Sequence, residues 1–594
     1  MKALVSWLWI VGVLGAIVVA WFLPGHIGRY YTQMLSIAGI FVIATHGLNL
    51  LAGYTGQVSL GHAGFYAIGA YTGALLATKL GFGFWSSIPF SMAAAAIAGF
   101  VIALPSLKLE GPYLSMVTIA FGIIVHSILS EWADLTGGTQ GVLNIPKPMF
   151  FGQRLFLEKQ FVVIVALAVL TTLAMRNLIR SPWGRSFIAV RDNPIAAEAV
   201  GLSTQRVKTI AFTLSAALVG LAGHLFAFLQ GFISPEAFEF ETSIFFLTAV
   251  IFGGAGTLLG PIVGAPIITF LPEMLQGFTD YRLIIYGLLI VGSLYALPLG
   301  IIGTAFRRTT MLPDLVAVTA NTAPMSQPVA LPYSGQRAGL IVSLDAVSMR
   351  FGGVQALKGV SFAVAPASVH ALIGPNGAGK TVLLNVLCGY YAPTSGTVRL
   401  GSDAINGLPP NEIARRGIGR TFQTSQMFGE LTVLQNVLTG FRGQRHGRLV
   451  ESILLTPQLR REEANRYAKA RELLAFVGYG GGGLHLKANS LPLGHQRQVE
   501  IARALAGGPA LIVMDEPAAG LNPTEIAELE GLISQISASG IAVLLVEHHM
   551  DLVMGMSHCI TVLDHGEKIA EGTPTEIQQN DKVIAAYLGT EQIN

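Results

Sequence analysis

The residues with the clearest capacity for chemistry are Gly374-Pro375-Asn376-Gly377-Ala378-Gly379-Lys380-Thr381, which follow the apolar run Val369-His370-Ala371-Leu372-Ile373. Glycine, four residues, glycine, lysine and threonine between a strand and a helix form a phosphate-wrapping loop. Its backbone N–H groups surround the phosphates, and the new helix aims its positive end at them. In that pattern Lys380 reaches the terminal phosphates and the Thr381 hydroxyl is offered to magnesium. A second apolar run, Ala510-Leu511-Ile512-Val513-Met514, ends in Asp515-Glu516. Asp515 there places a carboxylate at the magnesium, and Glu516 can polarise an attacking water as a general base. The plainer reading of this run is a core strand that happens to end in two acids. With the phosphate loop upstream, the pair points to hydrolysis of a phosphate-bearing nucleotide with magnesium.

Between these runs lies Leu491-Pro492-Leu493-Gly494-His495-Gln496-Arg497-Gln498-Val499-Glu500. This segment resembles the signature motif of the ABC ATPases. Other residues carry the same resemblance: Gln423 looks like the Q-loop glutamine, Ala519-Gly520-Leu521-Asn522 like the D-loop, and His548 like the switch histidine. Phe351 sits where the family stacks an aromatic ring on adenine. The resemblance implies catalytic roles for Glu516, His548 and Gln423, and magnesium contacts from Thr381, Gln423 and Asp515. It also implies that Gly494 meets the ATP held by a partner's phosphate loop. The chain departs from the pattern at Pro492, where many members carry serine, and at His495, where glutamine is usual. Proline starts helices well, and the Gly494 backbone and helix N-terminus remain. Gly480-Gly481-Gly482-Gly483 also stands where the family usually has a charged helical connection.

A narrower resemblance is to the branched-chain amino-acid ABC importers. It is carried by Phe351-Gly352-Gly353-Val354-Gln355-Ala356-Leu357, Glu547-His548, and Gly572-Thr573-Pro574 through Ala586-Tyr587-Leu588-Gly589. Earlier in the chain, Leu48 to Gln57, Ser59 to Phe65, Gly253-Gly254, Gly256 and Gly260-Pro261 are similar to one permease of that system. The fold class expected is a polytopic α-helical membrane domain (1–306), then a linker (307–340). An α/β P-loop ABC ATPase domain with a helical subdomain follows (341–594).

Composition agrees with that division. The chain has 594 residues, 52% hydrophobic and only 12% charged, with mean hydropathy +0.58. This excludes a disordered, collagenous or simple soluble protein. A net charge of +3 gives no reason to expect a nucleic-acid partner. The two cysteines, Cys388 and Cys559, imply neither a disulfide framework nor a zinc site.

Apolar windows that approach the ~20 residues of a spanning helix recur in the first half. They lie near Leu4–Leu23, Met34–Ala52, Val58–Thr78, Phe84–Leu104, Leu114–Ser130, Phe161–Met175, Ile210–Gly231, Ser243–Leu271 and Leu283–Gly303. The first reads as a retained helix rather than a cleaved signal peptide. Basic residues set the orientation. Arg176, Arg180, Arg185, Arg191, Arg206 and Lys208 mark a cytoplasmic segment, as do Arg307 and Arg308, and counting back puts Lys2 inside too. Ser243–Leu271 must then begin and end on one face. That predicts two short helices or a re-entrant pair, broken near Gly253–Gly256.

Irregular backbone at membrane depth is tolerated against protein or water, so breaks are candidates for the solute path. This nominates Gln57, Ser59, His62, Gly253 and Gly254. The alternative is that the glycines only permit close helix packing. His46, Asn49, His126 and His224 are expected to be satisfied by neighbouring helices.

The basic segment Gly184–Gly201 resembles the importer coupling helix, with Asp192, Pro194, Glu198 and Gly201 at its marker positions. Ile195, Ala199, Val200 and Leu202 would form its apolar docking set, and a plain positive-inside loop is the alternative. Each catalytic site in this ATPase class is shared by two subunits, so the resemblance implies a second ATPase and a second permease, or a second copy. It further implies an external or periplasmic solute-binding protein, surrounding membrane lipid, and an inner-membrane location with the ATPase in the cytoplasm. Urea, amides and aromatic acids are alternative solutes. A half-size exporter or a regulatory ABC ATPase that moves no solute are the rival functions.

Overall fold

The computed structural model describes residues 15–106, 111–274, 281–309, 339–441, 449–480 and 482–588, with positions 12 and 331. The expectations about Lys2, half of the first window, most of the 307–340 linker, Gly481 and Gly589 fall outside these residues. Two compact units form. One comprises 1–187, 205–312 and 452–454, and the other 188–204, 313–451 and 455–594. The segment 188–204, which in sequence interrupts the first unit, folds as part of the second.

The first unit is helical: α1 (Arg29–Leu48), α2 (His62–Lys79), α3 (Phe84–Ser106), α4 (Pro112–Glu131) and α5 (Leu157–Arg180). α6 (Pro182–Asp192) begins in the first unit and runs into α7 (Pro194–Ala199) of the second, and the first unit resumes with α8 (Thr204–Gln230), α9 (Phe240–Gly253), α10 (Gly260–Met274), α11 (Arg282–Ala296) and α12 (Gly300–Thr309). Among the described residues five helices, α1 extended to Tyr54, α3, α4, α5 and α8, are long and apolar enough to cross a membrane. The apolar stretches of α1 and α8 are 72% buried and form the centre, whereas that of α4 is 17% buried and faces outward.

Two windows need correction. The third does not start as helix: Val58–Gly61 are irregular and α2 begins at His62. The ninth is not one helix either. It breaks after Ala296 at Leu297-Pro298-Leu299, because proline supplies no N–H to continue the ladder.

The eighth window is broken as expected, with α9 and α10 separated by residues 254–259. A Cβ on Gly253 would lie 2.0 Å from the Gly260 carbonyl oxygen, and one on Gly264 1.9 Å from that of Ala249. These crossed pairs mean that the two helices run antiparallel in backbone contact. At 1.5 Å per residue each reaches only about 21–23 Å, short of a ~30 Å hydrocarbon core. They form a helical hairpin whose two open ends lie at the same end of the pair.

The second unit opens with β1 (Val342–Phe351) and β2 (Val354–Val364), an antiparallel pair. β3 (Val369–Ile373) leads into α13 (Lys380–Leu387), and β4 (Ser395–Leu400) joins β1. Then come α14 (Pro410–Arg416), β5 (Ile418–Arg420), α15 (Val433–Gly440), α16 (Pro457–Phe476), α17 (Leu493–Leu505) and β6 (Leu511–Asp515). The unit ends with α18 (Pro523–Ala538), β7 (Ala542–Val546), β8 (Cys559–Asp564) and β9 (Glu567–Gly572). The main sheet has the order β9-β8-β3-β7-β6-β5, parallel except for the edge strand β9. β3, β6 and β7 are buried at every position, which is why they read as unbroken apolar runs rather than alternating ones. The helices α15, α16 and α17 of the expected helical subdomain pack together through Val437, Leu473, Leu474 and Val499, in one core with Ile512, Met514 and Val543 of the main sheet.

Candidate functional site

The phosphate loop leaves the carboxyl end of β3. Gly374 has φ +150° and its missing Cβ would fall 2.1 Å from the Leu563 carbonyl oxygen, so the chain can pass β8 only without a side chain here. Asn376, Gly377 and Thr381 are exposed, Pro375 and Gly379 half-buried, and Ala378 and Lys380 buried. Lys380 Nζ donates to the Gly374 carbonyl at 2.7 Å and to that of Pro375 at 3.1 Å. Burial lowers the Lys380 pKa, opposed by the Glu516 and Asp515 carboxylates.

Asp515 and Glu516 sit at the carboxyl end of β6. Asp515 is buried and its Oδ2 accepts from Arg420 at 3.3 Å. Burial raises its pKa while the Arg420 guanidinium pulls it back. Glu516 has φ +46°, a conformation that costs a non-glycine residue of order 1–3 kcal/mol. Its N–H is anchored to the Val546 carbonyl at 2.8 Å. That backbone turn lets one carboxylate meet two of the other candidate residues: Gln423 Nε2 donates to Oε2 at 2.8 Å, and His548 Nε2 lies 3.0 Å from Oε1. Residues separated by 93 and 32 positions in the chain thus converge on one carboxylate, on the solvent side of the sheet.

Three features were not foreseen. Glu547, buried at 2%, accepts from the Ala518 and His548 N–H groups at 2.7 and 2.9 Å and so ties the backbone just before Ala519 to that of His548. Tyr391 stands edge-on to Phe351 with ring centroids 5.1 Å apart, which makes an aromatic pair where one ring was expected. In α17, Arg497 donates to the Phe422 and Gln423 carbonyls, and Glu500 accepts from Arg497 at 3.1 Å and from the Phe422 N–H at 3.2 Å. Glu500 is fully buried, and Arg503 approaches it at 3.9 Å. Burial raises the Glu500 pKa against the pull of both arginines. The only signal in the sequence was a charged Arg-x-x-Glu-x-x-Arg stripe, which a solvated helix face would show equally.

The signature helix α17 starts at Leu493 with Pro492 as its cap, supplying no side-chain hydrogen bond. Gly494 is half-buried, and a Cβ there would come within 2.5 Å of Glu525. Asn522 of the D-loop caps α18 in a reciprocal box with Glu525.

The segment expected to couple the halves is built into the second unit. Asn193 caps α7, its Oδ1 accepting from the Ala196 N–H at 2.9 Å, and its amide also bonds Gln426. Asp192 Oδ2 accepts from the Glu430 N–H at 2.8 Å. Tyr390 donates to the Ile195 carbonyl at 3.1 Å, and Arg415 to the Gly201 carbonyl at 2.8 Å. Pro194 starts α7, while Glu198 turns back to accept from Thr204 at 2.6 Å. The apolar docking set is corrected here. Ile195 is 56% exposed, and of the other residues foreseen only Leu202 is fully buried. Docking runs through Asn193, Asp192 and exposed backbone carbonyls instead, because a six-residue helix has too little apolar face to anchor it.

In the first unit the solute-path candidates are largely enclosed. His62 is buried between Ser59 at 2.9 Å and Ser215 at 2.8 Å, and Gln57 donates to Thr55 at 3.0 Å. Gly253 lies in the α9–α10 contact, which is the packing alternative, and Gly254 carries φ +123° at the turn. Asn49 fills the break, accepting from the Gly256 N–H and donating to the Thr257 carbonyl, both at 2.8 Å. His46 pairs with Thr172, and His224 with Ser91 and the Phe84 carbonyl. His126 differs from this group. Its buried Nε2 has no hydrogen-bond partner among the described residues, and it borders a cavity of about 230 Å³ with Glu239, Ser243, Ile119, Ile123 and Phe240.

Comparison with known proteins follows the same division. Residues 30–294 match the family "Branched-chain amino acid transport system / permease component". Residues 357–519 match the ABC transporter family, and 567–592 the branched-chain amino acid ATP-binding cassette transporter family. The high-affinity branched-chain amino acid transport system permease protein LivM of Escherichia coli is 37% identical over 308 residues, covering 48% of this chain and 72% of that one. The ATP-binding protein LivG of E. coli is 42% identical over 250 residues, 42% of this chain and 98% of that one. BraF of Pseudomonas aeruginosa, an ATP-binding protein of the same transport class, is 41% identical over the same length. The apolar helices, the phosphate loop and the carboxylate cluster at β6 therefore belong to a membrane transporter that binds and hydrolyses ATP, and the chain is a member of the branched-chain amino-acid ABC transporter family that joins permease and ATP-binding components in one polypeptide.

Proposed function

We propose that this chain is the fused permease–ATPase subunit of an importer for branched-chain amino acids, in the inner membrane with its ATPase in the cytoplasm. The observation that carries the coupling is the seat of residues 192–201 on the second unit. Asn193 holds Gln426, three residues beyond Gln423, and Gln423 holds Glu516. A shift of Gln423 on binding the γ-phosphate is then passed through a short, hydrogen-bonded stretch to a segment continuous with the membrane helices. Arg497 and Glu500 clamp the backbone at 422–423, so movement of the signature helix enters the same stretch.

Within the catalytic site Lys380 and the loop amides bind the phosphates, Glu516 orients and deprotonates the attacking water, and His548 stabilises charge on the γ-phosphoryl group. Thr381, Gln423 and Asp515 supply an all-oxygen donor set, which fits Mg2+. When bound, that ion neutralises charge on the β- and γ-phosphates. The Gly494 end of α17 faces the ATP of a partner ATPase, so a second ATPase and permease, or a second copy, complete the assembly. An external solute-binding protein delivers the solute. ATP that binds the closed pair more tightly than the open one drives the cycle by that difference alone. The outer part of the solute path lies at the His126–Glu239 cavity, where an imidazole and a carboxylate flank Ile119, Ile123 and Phe240. That mixture suits an aliphatic zwitterion better than urea or benzoate. In this reading 1–306 is the permease domain, 341–594 the ATP-binding domain and 307–340 their tether, with residues 188–204 folding as part of the second unit.

Uptake of labelled leucine, urea and benzoate into cells with and without the chain tests this reading. Leucine uptake alone should depend on it; loss of urea or benzoate uptake instead would reassign the solute, and loss of none would defeat the import function.

A further inference from the structure

We propose that His370, Cys559 and Glu571 form a binding site for a divalent transition-metal ion of zinc's class. The register of the sheet assembles it. Cys559 on β8 pairs with His370 on β3, and Thr561 on β8 pairs with Glu571 on β9. Side chains two apart on a strand share a face, so all four project to the same side across three adjacent strands. The ligating atoms of His370, Cys559 and Glu571 lie within 4.8 Å of one another.

The cluster is partly prearranged. His370 is buried, its Nε2 lies 2.8 Å from the Thr561 hydroxyl, and its ring rests on Phe362 with centroids 5.1 Å apart. The hydroxyl fixes the imidazole in the way that carboxylates, carbonyls or water support metal-ligating histidines. Glu571 is exposed and pairs with Lys568 at 2.6 Å. A partly exposed pair of this kind is weak, and it opens when the carboxylate turns to a divalent ion. One nitrogen, one sulfur and one oxygen ligand is a mixture zinc accepts, with water in the fourth position. Mg2+ prefers oxygen throughout, so the nucleotide's ion is not drawn here. On binding, the Cys559 thiol releases its proton to solvent and the thiolate takes the metal. His370 and Cys559 lie near the amino ends of β3 and β8, whereas the phosphate loop and Asp515 are at carboxyl ends. The ion would therefore act on the sheet edge, tying β9, which pairs only with β8, to the strands beneath.

The test uses the full chain, purified without a histidine tag, stripped with chelator and saturated with Mg·ATP. It is then equilibrated with Zn2+ or Co2+. The chain and its Cys388→Ala variant should retain zinc in equal amount, and Co2+ should give a sulfur-to-metal charge-transfer band. Cys559→Ser and His370→Asn should lose both signals. Thr561→Val should bind roughly 10–100-fold more weakly, the usual effect of removing an outer support. Glu571→Gln, a surface change, should weaken zinc binding while leaving ATP turnover intact, which separates ligand loss from misfolding. Equal zinc in the unsubstituted chain and Cys559→Ser, no zinc in either, or a cobalt spectrum without the sulfur band would overturn the assignment.

Discussion

The break at 254–259 and the cluster at the end of β6 both gather polar groups around irregular backbone, yet they use them oppositely. In the membrane unit, Asn49 reaches from the end of α1 and satisfies both a donor and an acceptor of the break, and it is 1% exposed. His46, His62 and His224 are likewise consumed by neighbouring helices. In the ATPase unit Gln423, Glu516 and His548 meet at the surface, joined by single hydrogen bonds that a ligand can replace. Where there is no water, polar groups must be spent on structure, because leaving them unpaired is costly. Beside water they can be kept for chemistry.

The strongest attempt to break this contrast is Glu516→Gln. Removing a general base should lower ATP turnover by about 10²–10⁴-fold while ATP binding persists, measured by phosphate release and nucleotide retention. Normal hydrolysis would place the base elsewhere. Next in size is Glu500→Ala, because the ATPase unit also holds buried charge, and there the membrane rule should apply. Leaving Arg497 and Arg503 without their carboxylate should cost about 3–5 kcal/mol, seen as a lowered unfolding midpoint. A stability change near zero would show that α17 does not depend on the network.

Asn49→Leu sharpens the membrane side. It strands the Gly256 N–H and the Thr257 carbonyl, at roughly 1–3 kcal/mol for each group, and detergent-solubilised protein should melt earlier. An unchanged melting temperature would mean that the hairpin stands without its staple. Asn193→Ala should have the smallest effect on stability, about 1 kcal/mol for a lost cap. Its signature is functional: basal ATP hydrolysis continues while solute uptake falls. Parallel loss of both would indicate damage to the site rather than to coupling.

Much of the ATPase was legible because its chemistry is local. Gly374–Thr381 is contiguous, and β6 announces itself as an apolar run ending in acids. The hairpin was legible by parity, since the basic residues allowed no other path for Ser243–Leu271. The Arg497–Glu500–Arg503 clamp was not, because a charged stripe at helical spacing gives no sign of whether it faces water or the backbone of Phe422. Nor was the docking of residues 192–201, where periodicity suggested apolar packing and the structure used caps and carbonyls.

The chain by itself determined which segments are apolar enough for lipid, where the phosphate loop lies and which acids end the nucleotide strand, because these depend on residue type and short spacing. Only the tertiary structure decided which polar side chains are spent and which remain available. That depends on partners such as Thr257 for Asn49, Ser215 for His62 and Glu516 for Gln423, more than 90 positions away, and distance along the chain carries no information about distance in space.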